Sequence, residues 1–146
     1  MQIFYFLLAG LIGYLCGSIP FGYLYVRLFK GEDLTKIGSG RTGGTNSFRA
    51  AGLGVGVLTS FSDVLKGAAA VWLTRWLLGD AFGPALLPWG VAVAGVFAVV
   101  GHNWSLFLRF GGGAGTGPNV GWSAAIWPWI FPIAFLVMGG MLYFVG

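Results

Sequence analysis

Residues Gly38 to Arg49, Gly-Ser-Gly-Arg-Thr-Gly-Gly-Thr-Asn-Ser-Phe-Arg, form the stretch of this chain best equipped for chemistry. Its four glycines let backbone N–H groups come close to a ligand and turn at positive φ. Ser39, Thr42, Thr45, Asn46 and Ser47 add neutral hydrogen-bonding groups. Arg41 and Arg49 add permanent cations, and no carboxylate lies within the stretch. Amide donors, hydroxyls and guanidinium groups together suit a phosphate or another tetrahedral anion. The alternative is a flexible linker between membrane helices, which rarely carries two arginines among so many short donors.

A second polar group comes much later: Gly101-His102-Asn103-Trp104, then Phe107-Leu108-Arg109-Phe110-Gly111-Gly112-Gly113-Ala114-Gly115. His102 is a candidate general base, its ordinary pKa being close to neutrality. A lone histidine beside glycine at a helix end is as often a satisfied structural residue. Asp63 and Lys66 stand three apart on one helix face, where they can pair. Ionisable groups inside an apolar span are functional candidates, unless they sit at the interface and anchor the helix there. Other catalytic spacings are missing. There is no Gly-Lys-Ser/Thr phosphate loop, no His-Glu-x-x-His and no Gly-x-Ser-x-Gly elbow. A His-x-x-x-x-Asp acyltransferase motif is also absent, since Phe107 stands five residues after His102. One His and one Cys cannot cage a metal, so neither metal nor cofactor is expected.

The elements that must position these groups are membrane helices. Of 146 residues, 57% are hydrophobic and 8% charged, and the mean hydropathy is +0.83. Several apolar runs reach the roughly 20 residues that cross a bilayer, where only a self-satisfied backbone is stable. The expected fold is therefore all-α, a polytopic bundle of about four to five membrane helices with two glycine-rich loops on the cytoplasmic side. Ile3 to Tyr25 is the first span, with Gly10, Gly13 and Gly17 on one packing face and Pro20 kinking or reshaping its inner end. Leu53 to Leu78 is the second, followed by a short outer loop bounded by Arg75 and Asp80. Pro84 to Gly101 is the third. Residues 116–146 read as a short helix and a second one beginning near Ile126 to Pro132, with Trp122, Trp127 and Trp129 in an interfacial belt. Five of the eight basic residues lie between Arg27 and Arg49 and none precedes them. That asymmetry puts the first loop in the cytoplasm and the N-terminus outside, and parity of spans brings the second polar group to the same side. With no basic residue before the first apolar run, a cleaved signal peptide is not expected. The single Cys16 permits no internal disulfide.

Four blocks together resemble the bacterial membrane glycerol-3-phosphate acyltransferases of the PlsY family. They are Tyr14-Leu15-Cys16-Gly17-Ser18-Ile19-Pro20-Phe21-Gly22, the Gly38–Arg49 stretch, Asp63-Val64-Leu65-Lys66-Gly67, and Gly101-His102-Asn103 with Phe107-Leu108-Arg109-Phe110. The resemblance implies one acyltransferase-like domain over residues 1–146, multi-pass in the bacterial inner (plasma) membrane. It implies transfer of a fatty acyl group from acyl phosphate to the 1-position of sn-glycerol 3-phosphate, giving lysophosphatidic acid and phosphate, a step of phospholipid biosynthesis. Its partners would be those two substrates and membrane lipid, with no nucleic acid and no metal.

On this pattern Ser39 and His102 are the catalytic candidates, although the family is thought to let a substrate phosphate take the proton. Gly40, Thr45, Asn46, Arg49, Lys66, Asn103, Gly112 and Gly113 are the substrate-binding candidates. Two departures stand out. Relatives usually read Gly-Gly-Lys-Gly where this chain has Gly112-Gly113-Ala114-Gly115, and Gly111 is often basic. Relatives also continue into further spans and a third polar motif, so the chain is expected to be C-terminally incomplete. A degenerate, non-catalytic paralogue that binds phosphate esters or a membrane partner is the alternative.

Overall fold

The computed structural model describes residues 1–133 and 136–137, and all regular structure among them is helical. The elements are α1 (Gln2–Ser18), α2 (Phe21–Lys30), a 3₁₀ turn (Leu34–Lys36), α3 (Gly44–Ala51), α4 (Leu53–Asn103), a second 3₁₀ turn (Leu106–Leu108) and α5 (Thr116–Ile126). Gln2–Lys30 and Leu53–Leu108 are each long and apolar enough to cross a membrane. The expected first span is broken where proline has no N–H to give: α1 stops at Ser18, and α2 restarts after Pro20.

The expected outer loop near Arg75 and Asp80 does not exist. Helix α4 continues through both residues and bends at Gly83, whose φ of 65° and ψ of 174° are open to glycine. Pro84 then opens the second arm, a favoured place for proline in a first turn. The two arms, residues 53–82 and 84–103, run antiparallel. Asp63 approaches His102 near one end, and Arg75 shares a small cavity with Val91 near the other.

Helix α1 runs parallel to the second arm at very close range. A Cβ on Gly13 or Gly17 would collide with the backbone carbonyls of Ala94 and Ala98, so the small-residue face packs as its spacing implies. Helix α5 lies in the same way against the first arm, with Gly121 on the Val64 carbonyl. The four rods therefore alternate in direction. At the Gly83 end, Ala9, Leu78, Phe82 and Ala94 form an apolar core with Tyr5 and Phe6 packed on it. Large apolar side chains cover the outside, including Leu7, Phe61 and Trp76, the last 80% exposed. A hydrocarbon environment accommodates such a surface and water does not. Trp122 leaves the expected interfacial belt. It is half-buried against Gly95 and donates from Nε1 to Asn119 Oδ1 at 2.9 Å. Trp127 and Trp129 are exposed. Residues 130–133 and 136–137 are helical, in the region expected for the last helix; the rest of that region lies outside the described residues.

At the opposite end, buried Ser105 ties the turn after α4 to the end of α1. Its hydroxyl donates to the Ser18 carbonyl and accepts from Phe107 N–H at 3.2 Å. Ser105→Ala should lower stability by about 1–2 kcal/mol, because the buried carbonyl loses its partner. Thermal unfolding in detergent measures this, and an unchanged midpoint would show that water replaces the hydroxyl there.

Candidate active site

The glycine-rich stretch is only half a loop. From Gly44 the chain turns helical, with Gly43 as extended N-cap at φ −85°. Gly44 is needed because a side chain there would strike Ser60 of the first arm. The preceding loop is folded around one side chain, Asn46, which is 3% exposed. Its Nδ2 donates to the carbonyls of Ile37 and Arg41, both at 2.9 Å, and Leu34 at 3.4 Å. Its Oδ1 accepts the Ser39 N–H at 3.3 Å. Gly38 and Gly40 supply the positive φ angles, 54° and 70°, that wrap the loop around it. Upstream, Asp33 accepts the Thr35 hydroxyl at 2.6 Å and the Thr35 N–H at 3.0 Å. Those bonds, the hydroxyl first, hold its carboxyl below the usual range.

The second loop is built in a similar way. Arg109 and Phe110 both take left-handed backbone, φ 52° and 64°. They return the chain so that Ser105 N–H meets the Gly111 carbonyl at 2.9 Å. Gly113 N–H then donates to the His102 carbonyl at 2.9 Å, and Thr42 N–H of the first loop donates to the Gly112 carbonyl at 3.3 Å. That last bond brings the two polar stretches together, as parity of spans requires.

Between the loops lies a cleft of about 410 Å³. Ser39, Arg41 and the start of α3 (Gly43, Gly44, Thr45, Asn46) line one side, while Ala114, Thr116 and Gly117 at the start of α5 line the other. Ser60, Asp63 and Val64 of α4 form the floor. The N–H groups of Gly44, Thr45, Asn46, Thr116 and Gly117 belong to first helical turns and have no intrahelical acceptor. Two helix N-termini thus converge on one space, and each presents partial positive charge.

Of the residues expected to carry function, Ser39, Thr45 and Asn46 are on this cleft. Asn46 serves it by holding the loop, since both ends of its amide are engaged internally. Gly40 turns the loop, its N–H bonded to the Ile37 carbonyl at 2.9 Å. The others need correction. Lys66 does not reach toward the glycine-rich stretch. Its ammonium donates to the Ile19 carbonyl at 2.7 Å, pairs with Asp63 at 2.9 Å and sits 5.8 Å over the Phe21 ring. Arg49 is exposed in the last turn of α3 and lies outside the cleft lining, because the helix carries it away from the N-terminus.

His102 is 4% exposed, and its Nδ1 lies 3.6 Å from Asp63. The backbone of Gly113 presses on its Nε2 edge, so it forms part of the wall behind the cleft. Gly112 and Gly113 are close-approach residues against His102, and Asn103 lies beneath Gly115; they shape the second loop without lining the cleft. Helix α5 starts at Thr116, where a short helix was expected, but Thr116, Gly117 and Arg41 were not among the expected site residues and all three line the cleft. The signal that could have found the first two is the helix start itself, whose free N–H groups favour an anion. In the sequence Arg41 carries the same charge as Arg49, and the resemblance singles out Arg49.

The family model described as glycerol-3-phosphate acyltransferase matches residues 7–146. The chain belongs to the glycerol-3-phosphate acyltransferase family. It is 45% identical over 118 residues to the glycerol-3-phosphate acyltransferase of Rubrobacter xylanophilus, covering 81% of this chain and 55% of that protein. It is 42% identical over 132 residues to the glycerol-3-phosphate acyltransferase of Thermus thermophilus, covering 88% and 62%. The crystal structure of PlsY, an integral membrane glycerol 3-phosphate acyltransferase, in its glycerol 3-phosphate form superposes with a TM-score of 0.79 at 35% identity. That match covers 94% of this chain and 66% of PlsY; the lysophosphatidic acid form gives 0.77. The chain therefore spans between about half and two thirds of the length of these relatives.

Proposed function

We propose that this chain carries the acyl-phosphate side of a membrane glycerol-3-phosphate acyltransferase, its described helices acting as one unit. The observation that carries the reading is the junction of two spaces. The polar cleft opens beside an apolar groove of about 580 Å³. Phe48, Leu53, Val57, Phe61 and Phe131 line the groove, and Gly44, Thr45, Ser60 and Val64 are common to both. An acyl phosphate has that form, a doubly charged head on an apolar tail. With its phosphate between the two helix starts, its carbonyl carbon falls where groove and cleft meet.

The reaction then needs little from side chains. The 1-hydroxyl oxygen of sn-glycerol 3-phosphate bonds to the acyl carbon, and the bond from that carbon to the phosphate oxygen breaks. The hydroxyl proton passes to the departing phosphate, giving lysophosphatidic acid and inorganic phosphate. Phosphate is a good leaving group, so positioning and stabilisation of developing negative charge supply most of the acceleration. The Ser39 hydroxyl accepts from Arg41 N–H at 3.4 Å, which leaves its proton free to orient a substrate oxygen. No metal or cofactor enters the scheme. The purified chain should release phosphate and form lysophosphatidic acid only when palmitoyl phosphate and sn-glycerol 3-phosphate are both present. Absence of product with both would overturn the reading.

We place the protein in the bacterial inner membrane with four to five crossings, the N-terminus outside and both loops in the cytoplasm. Lys36, whose side chain is 81% exposed, and exposed Asp80 at the other end test this as single cysteines in a Cys16→Ser background. Impermeant maleimide on intact cells should label position 80 and spare position 36; the reverse pattern would invert the topology.

A further inference from the structure

Arg41 and Asp63 are the charged side chains among the residues that line the cleft. Asp63 is 3% exposed and neutralised by Lys66 at 2.9 Å. Lys66 is itself held on the Ile19 carbonyl, so the pair contributes no net charge. Arg49 and Arg109 are exposed and lie outside the lining. Arg41 is different. Its backbone is pinned at both ends, N–H to Ser39 Oγ and carbonyl to Asn46 Nδ2. Its guanidinium makes no ion pair among the described residues, where the pairs are those of Lys36, Lys66 and His102. Across the same space stands Ala114, exposed and without a polar group. The Thr42 to Gly112 hydrogen bond, one residue from Arg41 and two from Ala114, holds the two positions together.

The geometry points to Arg41 as the phosphate-binding cation of this cleft, supplied from the first loop and facing an uncharged wall of the second at Ala114. The inference rests on the reading of the cleft as a phosphate-ester site. A fixed stem with a free guanidinium suits two-pronged recognition of phosphate oxygens, and the adjoining helix starts supply further amide donors. A site that takes phosphate through charge should also accept that charge from either wall.

The test is a charge relocation in the full chain in detergent. Binding of sn-glycerol 3-phosphate and of inorganic phosphate is measured by calorimetry, alongside phosphate release from palmitoyl phosphate. Arg41→Ala should weaken binding at least about tenfold, the loss of one charge-assisted hydrogen bond. Adding Ala114→Lys to Arg41→Ala should restore affinity to within about threefold of wild type, which a mere folding defect at position 41 would not allow. Wild-type affinity in Arg41→Ala, or no recovery in the double variant, overturns the inference while leaving any acyl transfer standing. Arg41-dependent, relocatable binding without acyl transfer sustains the inference and removes the proposed activity instead. A wild-type chain that binds neither ligand overturns both.

Discussion

Lys66→Met is expected to lose about 3–5 kcal/mol of stability, the range for breaking one side of a buried ion pair. Lys66 is 4% exposed and Asp63 3%, so the remaining carboxylate keeps very little solvent to compensate its charge. Three things go at once: the 2.9 Å pair with Asp63, the 2.7 Å bond to the Ile19 carbonyl, and the cation over Phe21. The Ile19 bond matters beyond its own strength, because Ile19 lies in the break between α1 and α2. Lys66 therefore ties the first arm of α4 to the bend that places α2 beside the first loop, where Gly22 packs on the Thr42 carbonyl. A loss of this size is a large share of the 5–15 kcal/mol typical of a folded domain. Asp63→Asn in the same chain should recover a substantial part, since it removes the uncompensated charge. Unfolding of the single and double variants in detergent measures both effects. A single variant as stable as wild type, or a double variant worse than the single, would show that the pair is not an interdependent unit.

The Asp63–Lys66 pair also shows how far the sequence could be read. Spacing of three put both groups on one helix face, and the structure pairs them there. It could not say which way the ammonium leans, because the competing acceptor, Ile19 carbonyl, lies 47 residues away in the chain. The small-residue face of α1 was legible for the opposite reason: glycines at helical spacing have one main use between apolar helices. Pro20 declared its break through its missing N–H. Gly83 did not, since an isolated glycine near the end of an apolar run is equally compatible with a loop. The start of α3 was hidden by composition. Gly43-Gly44-Thr45 reads as loop, and only the collision a side chain at 44 would make with Ser60 explains a glycine as first helical residue. The helix start is what separates the two arginines. In a loop, Arg41 and Arg49 are equivalent; once residues 44–51 coil, one stays at the cleft and the other is carried to the far end of the helix.

Asn46 gives the second large effect, and its two obvious replacements should separate a scaffold role from a ligand contact. Three carbonyls, those of Leu34, Ile37 and Arg41, converge on Nδ2, so that atom must be the donor. Asn46→Ala leaves them without a partner in a site that is 3% exposed. Each net bond is worth about 1 kcal/mol and each abandoned buried group somewhat more, so a total near 3 kcal/mol is expected. Asn46→Asp keeps the size but places a second oxygen about where Nδ2 stood, 2.9 Å from two carbonyl oxygens. Repulsion then replaces attraction, and Asp should be worse than Ala despite the closer shape. Both should also lose binding of sn-glycerol 3-phosphate at least about tenfold, because Ser39 and Arg41 hang from the bonds Asn46 makes. Amide hydrogen exchange over residues 37–41 should speed up in step with the loss of affinity. If Asn46 instead acted only by touching ligand, affinity would fall while unfolding midpoint and exchange stayed at wild-type values. Stability in Asn46→Asp equal to that of wild type would be enough to reject the scaffold role.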